Sequence, residues 1–228
     1  MTALISYHND PKIKDDILEQ LKRHYDADEI IKGQYWHEGK GCAVGCTLHG
    51  SSHKEYESRF GIPAVLAHLE DRIFEGIPNA LAKEWPIKFM ASTPVGKDLS
   101  KIWHKFAIWL IVDEEFGVVN FSKDELAKDF VIAVADLHQQ SLFRQVEHGE
   151  WVSLRDSVYA PYGNAVYSCA CYSLCYDSEC SAASAYAAAY AMMAATYTYD
   201  AGYSGRVEGY FVAQSEKLLQ LLRECDDE

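Results

Sequence analysis

Residues 33–78 read GQYWHEGKGCAVGCTLHGSSHKEYESRFGIPAVLAHLEDRIFEGIP. Glycines interrupt the first half of this stretch, which predicts a shaped loop and not a regular packing element. Charged residues placed among glycines are typical of a loop that meets a ligand or water. The side chains able to do chemistry near neutral pH are concentrated here: His37, Cys42, Cys46, His49, His53, Glu55, Glu57, Glu70, Asp71 and Glu75. The stretch therefore predicts where a functional surface lies, without saying what that surface does.

The second half of the same stretch carries helix signals. Ser52 and Glu55 have the spacing of a capping box, and Gly61 would end the short helix that they begin. Pro63 fits the first turn of another helix, whose apolar residues recur at helical spacing until a stop at Gly76.

Helix signals also lie on both sides of this stretch. Residues 9–26 predict a first helix, whereas the prolines within 78–96 predict short turns. A strongly apolar helix is expected over 98–112, and a long helix over 122–147. The segment between these two is too short to establish a strand, so we expect little sheet.

Residues 165–199 differ from the rest in composition, and alanine dominates 182–195. Small residues on every turn let helix backbones approach closely, so this segment predicts one long, tightly packed helix. The fold class is accordingly all-α: a single globular multi-helix domain over 1–228 with a long Ala-rich helix near the C-terminus. A subdivision into a core with the glycine-rich motif, 1–150, and an Ala-rich helical segment, 151–228, stays open.

Four features of the chain carry a resemblance. They are the GCAVGC turn, the H-x-x-Y-E that begins at His53, the run FGIP–LA–LED–IFEG and the Ala-rich C-terminal segment. Together they resemble a family of proteins of bacteria and their phages, and the resemblance spans most of the chain. It brings no function with it.

Composition excludes some classes of function. The chain has 228 residues and a formal net charge of −13, and so negative a surface disfavours nucleic acid, whose binding needs clustered cations. It would suit a partner with a basic surface. No apolar run reaches the ~18 residues of a membrane span, and the N-terminus lacks the pattern of a signal peptide. Seven cysteines on such a chain predict reduced thiols and a cytoplasmic protein.

A metal site is the first hypothesis for the motif. Cys42, Cys46, His49 and His53 would line one stripe if the segment were helical. The gap between the cysteine pair and the histidine pair is too short for the chain to fold back around one ion, because zinc fingers separate such pairs by about a dozen residues. We therefore predict no metal and no cofactor, with the thiols packed in a core or turn.

Two other hypotheses concern catalysis. Cys42 or Cys46 could be a nucleophile with His49 or His53 as its base, and backbone N–H groups of the turn could hold an oxyanion. Alternatively, carboxylates could bind a metal or do acid–base work, in a set made of Glu57, Glu70, Asp71 and Glu75. The competing interpretation of these carboxylates is a solvated helix face with Arg72 beside Glu75.

The function predicted from the sequence is binding. We expect a cytoplasmic helical interaction protein whose recognition surface lies in 33–57, with a protein or a small polar ligand as partner. Its binding residues would be Gln34, Tyr35, Trp36, His37 and Lys40. The alternative is a small hydrolase or transferase at the same surface, with catalytic candidates Cys42, Cys46, His49, His53 and Glu57. Neither nucleic acid nor a membrane is an expected partner, and the oligomeric state is left open.

Overall fold

A computed structural model describes residues 4–121, 125–159 and 203–225. The chain separates into two compact units, one formed by Met1–Ile102 with Phe211–Glu228 and the other by Trp103–Tyr210. The Ala-rich segment 165–199 lies outside the described residues, and the sequence-based subdivision at residue 150 stays a prediction.

The described residues are almost entirely helical. The α-helices are α1 (Pro11–Asp26), α2 (Ala43–Leu48), α3 (Glu55–Phe60), α4 (Ala64–Gly76), α5 (Asn79–Ala82), α6 (Trp85–Ser92), α7 (Ile102–Val112), α8 (Glu125–Ser141), α9 (His148–Tyr159) and α10 (Tyr203–Arg223). Short 3-10 helices lie at Ser6–Asn9 and Val118–Phe121. Within the described ranges the only sheet is one antiparallel pair, β1 (Trp36–His37) with β2 (Lys40–Gly41). The all-α prediction is confirmed, and none of the described helices has the length and apolar character needed to cross a membrane.

Several helix ends lie where local chemistry places them. The side chain of Asp10 accepts a hydrogen bond from the Lys12 N–H and caps α1, with Pro11 in the first turn. Gly61 ends α3 in the left-handed conformation, at φ 62°. The predicted capping box of Ser52 and Glu55 is wrong: Lys54 precedes α3, and no side chain caps that helix.

The prediction of short turns over 78–96 is also wrong, because α6 occupies Trp85–Ser92. Pro86 lies in the first turn of α6, where a missing N–H breaks no helical hydrogen bond. The apolar helix expected from residue 98 begins later, at Ile102. Asp98 instead accepts a hydrogen bond from the Ser100 N–H in the preceding turn.

The larger unit buries its core between α1, α2, α4 and α6. Helix α1 packs against α2 and α6, and α4 packs against α2, α3 and α6. The fully buried large side chains of this unit include Tyr7, Leu21, Tyr56, Leu66, Phe74, Trp85 and Phe89. The phenol of Tyr7 donates to the carbonyl oxygen of Met90 over 2.7 Å, which ties the N-terminal turn to α6. This packing fixes α2 and the loop before it.

In the other unit, α7, α8 and α9 share an aromatic and histidine-rich core. Trp151 packs with Leu137 and Val146, and His138 is fully buried. The Nδ1 atoms of His104 and His138 lie 2.9 Å apart, within hydrogen-bond distance. The start of the long helix expected over 122–147 lies outside the described residues, and α8 ends earlier than expected, at Ser141.

Glu70 of α4 is buried in the larger unit, so the prediction of a solvated carboxylate face fails at this position. Its side chain is 0% exposed, and Tyr56 donates a hydrogen bond to Oε2 over 2.6 Å. Oε1 has no hydrogen-bond partner among the described residues. Burial raises the pKa of Glu70 well above its ordinary value of 4.5, and the neighbouring Asp71 acts in the same direction. The folded protein therefore favours the protonated carboxyl.

The raised pKa predicts how stability depends on pH. Above pH 4.5 the unfolded chain releases the Glu70 proton while the folded chain retains it, so stability falls as pH rises from there. Glu70→Gln mimics the protonated carboxyl, and we expect it to flatten this decline and to be at least as stable as the wild type at neutral pH. Urea denaturation at several pH values measures the effect, with Glu216→Gln on the exposed face of α10 as the matched control. A decline equally steep in Glu70→Gln would contradict the assignment.

Candidate functional site

The loop before α2 lies with its backbone against the start of that helix. The Cys42 N–H donates to the carbonyl oxygens of Gln34 and Tyr35, over 2.7 and 3.1 Å. A Cβ atom at Gly41 or Gly45 would overlap the carbonyl oxygen of Tyr35. Both glycines are therefore needed for close backbone approach, which explains part of the glycine-rich pattern.

The same loop turns back as a hairpin. Trp36 pairs with Gly41 and His37 with Lys40. The two turn residues, Glu38 and Gly39, both have positive φ, at 50° and 82°. Positive φ at both turn residues is typical of the two-residue β-hairpin turn, whose twist matches that of the strands it joins. The side chains of His37 and Lys40 are exposed on this hairpin.

Adjacent aromatic residues of the loop contact two different histidines. The Trp36 ring stacks on His49, with centroids 4.2 Å apart and planes 20° apart. The Tyr35 ring meets His53 edge-on at 5.7 Å. Docking of the loop therefore places one aromatic ring on each of the two predicted histidines.

His49 belongs to a hydrogen-bonded chain of three side chains, which we call the histidine relay: Glu29, His24 and His49. Glu29 Oε2 lies 2.6 Å from Nδ1 of His24, and Nε2 of His24 lies 2.8 Å from Nε2 of His49. His24 is buried on α1, and His49 is exposed. Partial burial lowers the pKa of His49, and His24 and Arg59 lower it further.

His53 belongs to a second, more buried group, the His53 cluster: His53, His68 and Asp71. Nε2 of His53 lies 3.3 Å from Oδ2 of Asp71. The rings of His53 and His68 are stacked, with centroids 3.8 Å apart and planes 10° apart. Burial, and then the neighbouring His53, lowers the pKa of His68 to about 4. His68 is therefore neutral at physiological pH.

Both thiols of the motif are buried, and each forms a hydrogen bond with a nearby backbone group. The sulfur of Cys42 accepts a hydrogen bond from the Gly45 N–H and caps α2. Cys46 donates to the carbonyl oxygen of Gly41. Burial raises the pKa of both thiols, that of Cys46 to about 12, and the carboxylate of Asp71 acts in the same direction on Cys42. Neutral, shielded thiols are poor nucleophiles.

The other predicted residues do not converge on these groups. Glu57 accepts a hydrogen bond from the Ala64 N–H at the start of α4 and so stabilises that helix terminus. Gln34 is exposed, and its described contact is the backbone bond to Cys42. Helix α2 ends at Leu48, so the proposed stripe of two thiols and two imidazoles is not one helical face. The described part of the chain contains no group of three or more His, Cys, Asp or Glu side chains arranged to hold a metal ion.

Sequence reasoning missed three members of these clusters: His24, Glu29 and His68. A signal for His24 was present, because it follows Ile17 and Leu21 on the buried stripe of α1. A histidine on an apolar helix face needs a polar partner in the fold. For His68 and Glu29 the local sequence gives no comparable signal.

Comparison with known proteins identifies no relative of this chain. No protein-family model, curated protein or solved structure matches it. The resemblance to proteins of bacteria and their phages stays a prediction.

Cysteine labelling tests the assignment of the thiols. In the folded protein we expect neither Cys42 nor Cys46 to react with iodoacetamide at pH 6 faster than a free thiol, because burial keeps both protonated and shielded. Cys225 is less buried and should label before them. Mass-spectrometric mapping of each cysteine-containing peptide measures this, and denaturation should make all three reactive. Selective fast labelling of Cys42 or Cys46, lost when His49 or His53 is replaced, would show a catalytic thiol instead.

Proposed function

We propose that this chain is a cytoplasmic binding protein that recognises its partner through the 33–57 surface, the face built by the hairpin loop and the segment around α2. The observation that carries the proposal is a fixed backbone with exposed side chains. Gln34, Tyr35, His37 and Lys40 are exposed, while the loop beneath them is held by the bonds to Cys42 and by the two glycines. Binding then requires little ordering of the loop, which favours affinity.

The composition of this surface fits a protein or a small polar ligand. Tyr35 is 43% exposed and Trp36 lies partly open beside it. Aromatic residues with a polar tip are enriched at interfaces, where they contribute much of the binding free energy. The net charge of −13 favours a partner with a basic surface and disfavours nucleic acid.

The alternative is an enzyme with a thiol nucleophile or a carboxylate-held metal at the same surface. Burial and the raised pKa values of Cys42 and Cys46 favour the binding proposal over the thiol chemistry. The separate environments of Glu57 and Glu70 favour it over the carboxylate chemistry.

Site-directed photo-crosslinking tests the proposal. A benzophenone amino acid replaces Tyr35 on the 33–57 surface or, as the matched control, Phe143, which is 82% exposed in the other unit. In extract of the cells that make the protein, we expect a discrete adduct at position 35 and none of the same mass at position 143. Wild-type protein without the benzophenone should compete for the partner and reduce this adduct. The triple variant Gln34→Ala, His37→Ala, Lys40→Ala should compete at least ~10-fold less well, which is the loss expected when a binding hot spot is removed.

Two results would contradict this assignment. One is the same set of adducts at both positions, which would indicate unspecific contact. The other is full competition by the triple variant, which would show that the exposed hairpin side chains do not recognise the partner.

A further inference from the structure

We propose that His49 is a general base that activates water for the hydrolysis of small, activated acyl esters, with Glu29 and His24 as positioning residues. This activity goes beyond the binding function and does not require it, since it stands on the geometry of the histidine relay.

The hydrogen bonds of the relay determine which ring nitrogens carry protons. A carboxylate only accepts hydrogen bonds, so Nδ1 of His24, 2.6 Å from Glu29, must carry a proton. When the His24 ring is neutral, its Nε2 is an acceptor, and its partner 2.8 Å away, Nε2 of His49, is the donor. This leaves Nδ1 of His49 as an unprotonated nitrogen with a lone pair.

That nitrogen belongs to an exposed residue and has no hydrogen-bond partner among the described residues. His49 is exposed, and its hydrogen bonds within the described residues run from its backbone N–H to the Gly45 carbonyl and from Nε2 to His24, with none to Nδ1. Stacking on Trp36 holds the ring in place. The lowered pKa of His49 keeps the imidazole neutral at pH 7, the state in which it accepts a proton.

The carboxylate of Glu29 stabilises the product of proton transfer: burial, His24 and Arg59 lower the pKa of His49, whereas the negative charge of Glu29 raises it. When Nδ1 of His49 takes up a proton, its Nε2–H becomes a stronger donor to His24, which in turn donates to Glu29. A base oriented by a second group, with a carboxylate behind it, is the arrangement that supports general-base catalysis. His24 and Glu29 thus orient the His49 ring, and the hydrogen bond from His49 to His24 strengthens when His49 becomes protonated.

The backbone of His49 provides an independent observation. His49 ends α2 in the left-handed conformation, at φ 52° and ψ 41°. Glycine is the residue that this position favours, as Gly61 illustrates at the end of α3. A bulky imidazole held in such a conformation is the kind of backbone strain that recurs at functional sites.

The reaction balances without a further reagent. A water molecule gives one proton to Nδ1 of His49 while its oxygen forms a bond to the acyl carbon. The bond from that carbon to the leaving oxygen then breaks, and the leaving oxygen takes the proton from Nδ1. One ester and one water become one carboxylic acid and one alcohol, and the imidazole is regenerated. The open setting of His49 suits small substrates with good leaving groups.

Hydrolysis of p-nitrophenyl acetate tests the proposal in the full chain. His49→Asn is the decisive variant, because asparagine tolerates the left-handed conformation but cannot act as the base. We expect it to lower kcat/KM by about 100-fold or more, the usual contribution of a general base. His148→Asn, an exposed histidine in the other unit, is the matched control and should keep the wild-type rate.

Glu29→Gln tests whether Glu29 positions the base or only supports the local fold. The glutamine still accepts the His24 proton but removes the negative charge, so the rising limb of the pH–rate profile should move to lower pH as the plateau rate falls. An unshifted profile would overturn the role given to Glu29. A wild-type rate in His49→Asn, or an equal loss in His148→Asn, would overturn the role given to His49.

The tautomer is measured directly by ¹⁵N NMR of the imidazoles in the wild-type protein, which needs no variant to fold and no substrate. We expect His49 as the Nε2–H tautomer with an unprotonated Nδ1, and an Nδ1–H tautomer would overturn the proposal. These results are independent of the crosslinking outcome, so failure of the catalytic proposal and failure of the binding proposal are distinguishable.

Discussion

The carbonyl oxygen of Tyr35 lies where a side chain at Gly41 or Gly45 would stand, and the site depends on this contact. Because both positions lack a Cβ, the loop backbone reaches the start of α2 and the Cys42 N–H bonds to Gln34 and Tyr35. This packing places Trp36 on His49 and Tyr35 on His53. The spacing of the two glycines in the GKGCAVGC segment is thus required for backbone packing, whatever chemistry the segment supports.

Two histidine groups with different properties follow from one docked loop. The histidine relay joins the half-buried Glu29 through the buried His24 to the exposed residue His49, whereas the His53 cluster keeps its rings stacked and partly buried against Asp71. The thiols between them cap and brace α2 with protonated sulfurs. The proposed recognition and the proposed proton transfer therefore share a scaffold but use different side chains.

The predictable part of the structure is the part that local chemistry controls. Periodicity and Pro11 located α1, and Gly61 located the end of α3, because these signals act within one turn. The site was predicted only in outline: His49 and His53 were candidates, but His24 lies 25 residues before its partner, a contact that only tertiary packing creates. The suspected nucleophiles Cys42 and Cys46 became buried for the same reason, since no local pattern states how deeply the helix start is packed.

The most direct test of this account is the stability of Gly45→Ala, compared with Gly50→Ala by urea denaturation. Inside a helix such as α2, glycine to alanine ordinarily stabilises by about 1 kcal/mol. Here the new methyl group would overlap the Tyr35 carbonyl, so we predict a loss of about 2 kcal/mol or more for Gly45→Ala, as for other overpacked sites. A Cβ at Gly50 would meet its nearest atoms at 3.9 Å, and that variant should stay near the wild type. A Gly45→Ala protein as stable as the wild type would contradict the claim that this contact holds the loop.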